Sequence, residues 1–158
     1  MENLSLILWR ERELMESLLY KLEVERLVLA SGQSRWLAVS AREVEGVLES
    51  LRETELLRAV AADEAAASIG MASNPSLRAL AESAAEPWKS ILLDHRTAFL
   101  SYTAEITEIA ATNRELLTSG QAAARDMFLG LGEHPDSYSS HGTAVIDERR
   151  SRLLDQSI

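Results

Sequence analysis

No cysteine occurs among the 158 residues, which excludes a disulfide framework, a thiolate metal site and a cysteine nucleophile, and agrees with a reducing compartment. Proline (3) and glycine (7) are scarce, so a loop-rich sheet is disfavoured against long helices. Aromatic residues make up only 5% of a chain that is 46% hydrophobic; the core is therefore expected to pack through Leu, Ile, Val and Ala, as in an elongated bundle. No run approaches the roughly 20 apolar residues that span a bilayer, and residues 1–9 lack the basic start and cleavage site of a secretory signal. Basic residues are outnumbered 16 to 25, for a net charge of −9 spread along the chain. Such a surface repels phosphate backbones and anionic lipid, so neither nucleic acid nor membrane insertion is expected, and a cytoplasmic location is.

What is present is helical periodicity. Leu8, Met15, Leu22 and Leu29 recur every seven residues, with Ile7, Leu14, Leu18 and Val28 beside them; such a stripe asks for partner helices. Ser31-Gly32-Gln33-Ser34 breaks the pattern, with Gly32 suited to ending one helix and Ser34 to capping the next, which predicts a helical hairpin. The second helix carries Leu37, Val44, Leu48 and Leu51 on one face, continues less cleanly through Glu55 and Arg58, and ends in an alanine-rich stretch. Alanines bury little area, so residues 63–73 are expected to be loosely packed. Asn74-Pro75 reads as a cap and first turn for a short segment with Leu77, Leu80 and Ala84. Ser83-Ala84-Ala85-Glu86 fits a capping box, with Pro87 in the first turn of a new helix.

That last helix holds the strongest signal. Trp88, Leu92, His95, Phe99, Tyr102, Ile106, Ile109, Asn113 and Leu116, then Gly120, Ala123 and Met127, step alternately by four and three. Helical over 83–129 it would be about 70 Å long at ~1.5 Å per residue, too long for a compact globule to cover; Gly130 and Gly132 are expected to stop it. Residues 133–158 lose the period at Pro135, Ser137, Ser139, Ser140 and Gly142 and read as a flexible tail beyond a helical domain of 1–132. Tyr138, Val145, Ile146, Leu153 and Leu154 give that tail apolar points able to order on a partner.

Catalytic chemistry finds no footing. His95, His134 and His141 are the only histidines, and no Glu-x-x-His or His-x-x-x-His spacing exists to build a metal site. Gly130-Leu131-Gly132 has no preceding strand and no following Lys-Ser/Thr, so it is a helix stop, not a phosphate loop. No cofactor or metal is expected. Asn113 is the telling polar residue on the seam, because an amide there needs a polar partner and can fix register; that partner is either in a bound protein or within the bundle.

Two stretches resemble the FlgN family of flagellar export chaperones. One is Leu18-Leu19-Tyr20-Lys21-Leu22-Glu23-Val24-Glu25-Arg26, leading through Ser31-Gly32-Gln33 into Trp36-Leu37 and then Glu43, Leu48, Leu51, Glu55 and Arg58. The other is Asn113-Arg114-Glu115-Leu116-Leu117, similar to the family's Asn-x-x-Leu-Leu/Ile stretch. Tyr138 and Gly142 also resemble a spacing in some family tails, whereas Ala110 stands where many members carry a further Asn. The resemblance implies a cytoplasmic chaperone that holds flagellar hook-associated proteins, shields their terminal amphipathic helices and delivers them to the export gate, with no enzymatic step.

The expected fold is therefore all-α: an elongated antiparallel bundle, or coiled-coil-like hairpin, with a long C-terminal helix and a tail. The long seam, exceeding what the shorter segments can cover, is the expected cargo surface, through Phe99, Tyr102, Ile106, Ile109, Asn113, Leu116 and Leu117. The resemblance assigns Tyr138, Val145, Ile146, Leu153 and Leu154 to docking at the export gate. A homodimer, a generic coiled-coil interaction protein and a chaperone of another secreted helical substrate are the alternatives that the same seams admit.

Overall fold

The computed structural model describes residues 1–132, and every regular element among them is helical: α1 (Glu2–Ala30), a 3-10 turn (Ser34–Trp36), α2 (Leu37–Ser68), α3 (Leu77–Ser83) and α4 (Trp88–Gly132). The all-α hairpin bundle expected from periodicity is what forms. Expectations for His134, Tyr138, His141, Val145, Ile146, Leu153 and Leu154 lie outside the described residues. The chain divides into two compact units, Met1–Thr118 and Ser119–Ile158, with the boundary inside α4.

Within the first unit, α1 buries Leu4, Leu8, Glu11, Leu14, Leu18 and Leu22, one stripe at steps of three and four. Gly32 ends the helix with φ +67°, a left-handed conformation that glycine adopts without steric cost. Ser34 does not cap α2 as expected. It opens the 3-10 turn instead, and α2 starts at Leu37 with no side-chain cap, because the tight turn already occupies the first backbone donors.

α2 returns antiparallel to α1. Lys21 Nζ lies 2.9 Å from Glu43 Oε2 near the hairpin, and Arg58 Nε lies 2.9 Å from Glu11 Oε2 further along. The α2 seam runs through Thr54, buried, rather than Glu55, exposed; Thr54 Oγ1 donates to the Ser50 carbonyl at 2.8 Å, so its hydroxyl is buried without being orphaned.

At the alanine-rich end of α2 three alanines are packed, while residues 63, 64, 67–70, 72 and 73 of the stretch expected to be loose are exposed. Ala61 and Ala65 are 3% exposed and Ala66 0%. They form one core with Leu4 and Leu8 of α1, Leu80 and Ala81 of α3, Ala84 just after it, and Leu92 of α4. Small side chains let the helices approach, and the buried area is supplied by the leucines opposite. The connection beyond is held too: Met71 N donates to the Ala66 carbonyl at 2.9 Å, and Asn74 N donates to the Asp63 carboxylate.

Two more starts differ from expectation. Asn74 sits at φ 58° inside the turn, and Ser76 caps α3 by accepting from Ala79 N at 3.1 Å. Ser83 ends α3 rather than opening α4. Pro87 has no N–H to give the preceding turn and biases Glu86 towards extended backbone, so the two helices cannot fuse. The Glu86 carboxylate then serves the first turn of α4, accepting from Ser90 N at 3.3 Å and Ser90 Oγ at 2.8 Å. Gly130 does not stop α4, which continues to Gly132.

Candidate functional site

α4 runs parallel to α1, and their pairing decides where the predicted seam goes. Trp9 meets His95 edge-on at 4.9 Å between centroids, Arg12 Nη1 lies 3.1 Å from Asp94 Oδ2, and Asn113 Nδ2 donates to the Leu22 carbonyl at 3.0 Å. That register sets Ile106 and Ile109 level with Leu18 and Leu22. Phe99 packs against the core, and Tyr102, Ile106, Ile109 and Leu116 are half-buried. The seam therefore meets α1 at His95 and at Asn113, and the residues between them are partly buried. Leu117, 40% exposed, lies off this line.

Asn113 resolves in favour of an internal partner. It is 5% exposed, and Nδ2 also donates to Glu25 Oε2 at 2.9 Å. A displaced register would strip both donors of acceptors in a dry interface, so the amide locks α4 against α1 at one setting. Its amide nitrogen thus meets α1 within the chain, while its Oδ1 is buried without a hydrogen-bond partner.

His95 is the buried counterpart at the other end of that interface. It is 0% exposed, and neither ring nitrogen has a hydrogen-bond partner. Burial lowers its pKa below the ordinary value, and Arg12, stacked over Trp9 at 4.5 Å, pushes the same way; Asp94 opposes them. The imidazole is therefore a neutral packing group. Because the folded state resists a proton that the unfolded chain accepts near pH 6.5, stability should fall as pH drops below that value, at no more than about 1.4 kcal/mol per pH unit, the slope of one proton. Urea unfolding at pH 7.5 and 5.5 checks this: His95→Leu should shrink the acid loss, and an unchanged loss would place its cause elsewhere.

From Ser119 onward the surroundings change. Every residue from 119 to 130 is exposed, including Met127 at 73%, Phe128 at 76% and Leu129 at 60%. Gly120, Ala123 and Met127 carry the seam through this stretch at the same three-and-four spacing, lined by small residues and exposed.

Among the described residues no three His, Asp or Glu side chains are grouped to hold a metal ion, and no helix is long and apolar enough to cross a membrane. Sequence reasoning overlooked two features. Glu11 occupies a core position of α1, where its charge concealed it, and Leu56-Leu57 on α2 escaped notice because they fall off the heptad line. A family model described as FlgN protein matches residues 1–145. No curated protein and no solved structure matches the chain.

Proposed function

The chain belongs to the FlgN family, a flagellar chaperone family, and from that membership we propose that it is a cytoplasmic export chaperone for flagellar hook-associated proteins. It covers their terminal amphipathic helices before assembly and presents them to the export gate. The reading rests on the family match across residues 1–145. The open stretch of α4 supports it physically: Met127 and Phe128 offer apolar surface, and Gly120 and Ala123 let a second helix come close. Binding without chemistry is all that such a task requires.

Within this reading the cargo face moves along α4. Asn113 and Phe99 are committed inside the chain, Tyr102, Ile106, Ile109 and Leu116 are reachable only at their edges, and residues 119–130 take the main contact. The residues Tyr138, Val145, Ile146, Leu153 and Leu154 are proposed to dock at the gate.

Met127→Asp with Phe128→Asp should leave helicity intact, since both side chains are exposed, and weaken binding of hook-associated proteins at least tenfold in isothermal titration. Unchanged affinity in a folded variant would show that the face is misassigned. Deleting residues 133–158 should spare cargo binding and reduce secretion of the same proteins from cells. Full secretion by that truncation would rule out the docking role.

A further inference from the structure

The outward side of α2 carries apolar surface that cargo binding on α4 leaves unused. Leu56 is 71% exposed, Leu57 60% and Val60 60%, adjacent on two successive turns. Leu56 and Val60 stand away from the side of α2 that buries Ser40, Thr54, Ala61 and Ala65, and Leu57 lies at its edge. Scattered single leucines on a surface need no explanation, but three large aliphatic side chains side by side do.

Their frame is acidic. Glu53 lies one turn before Leu56 and Leu57, Glu49 a turn earlier, and Glu64 one turn after Val60; all three are exposed. None of these carboxylates enters an ion pair among the described residues, whose pairs lie elsewhere. Arg52 is the one base facing outward on these turns, since Arg58 is turned to Glu11.

Gly46 falls on the same side, one turn before Glu49. A Cβ built there meets nothing within 4 Å, so no contact inside the chain requires its smallness. A glycine in mid-helix weakens the helix, and its advantage is that another backbone can approach closely.

We propose that the outward face of α2 over residues 46–64 is a docking surface for a basic amphipathic helix of another protein. The partner's apolar stripe covers Leu56, Leu57 and Val60, its flanking Lys or Arg side chains meet Glu49, Glu53 and Glu64, and its backbone passes nearest at Gly46. Charge selects this occupant. A second copy of the same face would set carboxylate against carboxylate, and anionic lipid or nucleic acid would be repelled. The face spans about 27 Å at ~1.5 Å per residue, so a helix of about 18 residues fills it. The surface is on a different helix from the cargo face, and its test uses no flagellar protein, so it stands or falls apart from the chaperone reading.

The probe is a synthetic 18-residue helix with a leucine stripe flanked by lysines, paired with a twin whose flanks are glutamates, titrated into the full chain. The lysine peptide should bind and protect α2 amides around residues 49–64 from exchange, while the glutamate twin binds at least tenfold more weakly. Leu56→Ser with Val60→Ser, and separately Glu53→Lys with Glu64→Lys, should each weaken the lysine peptide at least tenfold with circular dichroism unchanged. Should the serine pair lower helicity, the charge-reversal pair decides. Absence of binding, affinity retained in the charge-reversed protein, or protection confined to α4 would overturn the proposal. So would a wild-type dimer in sedimentation that the serine pair dissolves, since the face would then belong to self-association.

Discussion

Leu8→Ala should lower the unfolding free energy by about 2–5 kcal/mol, the range for emptying a buried leucine site. Leu8 is 0% exposed, and its cluster includes Ala61, Ala65 and Ala66. Alanines have no rotamers with which to refill a cavity, so the upper part of that range is expected. Domains of this size are stable by only about 5–15 kcal/mol, which makes this loss visible as a large shift of the urea midpoint. Leu6→Ala is the matched control: Leu6 is 66% exposed and should change stability by no more than about 0.5 kcal/mol. Equal effects of the two would mean that α1 presents a different face to the core.

Arg58→Met should cost about 1–3 kcal/mol at neutral pH, well above what an exposed pair contributes. The Glu11 side chain is 6% exposed and that of Arg58 38%, so the cost falls below the full penalty for a buried unpaired charge. The two atoms stand 2.9 Å apart with the N–H off the line to the oxygen; attraction of charge, not an aligned hydrogen bond, holds them. Burial raises the Glu11 pKa, Arg58 lowers it, and Glu55 raises it. A carboxyl whose folded pKa is raised favours folding at low pH and loses that contribution as pH climbs through the raised value. Removing Arg58 widens the raised window, so the penalty should shrink on acidification towards pH 5, opposite in sign to the His95 effect. Glu11→Leu in the Arg58→Met background should recover most of the loss, because an apolar pair needs no solvation. Chemical unfolding at pH 7.5 and 5 checks both, and a penalty independent of pH would assign the loss to packing of the Arg58 stem.

Helix existence was legible because it depends on local terms: propensity, scarcity of proline and glycine, and a three-and-four spacing of apolar residues. Starts were read less well. Ser34, Asn74 and Ser83 each have good cap chemistry, yet Trp36, Ser76 and Glu86 occupy or supply those positions. A cap is chosen by which backbone donors are left free after the turn is built, and the turn depends on where the next helix must pack.

The candidate site shows the same division more sharply. Periodicity in α4 identified a seam that must meet another helix, and Asn113 as a residue in need of a polar partner. A spacing pattern is the same whether that partner is α1 or another protein. The contacts between α1 and α4, of Trp9 with His95 and of Asn113 with the Leu22 carbonyl, place α1 beside the seam at His95 and Asn113, while residues 120–130 remain exposed.

By itself, then, the sequence determined the class of the fold, the hairpin at Gly32, the long seam and the family, since each is written in neighbours along the chain. Tertiary structure alone decided that Ala61, Ala65 and Ala66 of α2 lie in the core, that Glu11 and His95 are buried, and that Leu56, Leu57 and Val60 are not. The physical reason is that burial depends on the distance between helices. An alanine is a weak contributor or a core residue according to how near the next helix comes, and a leucine is core or docking surface according to whether one comes at all.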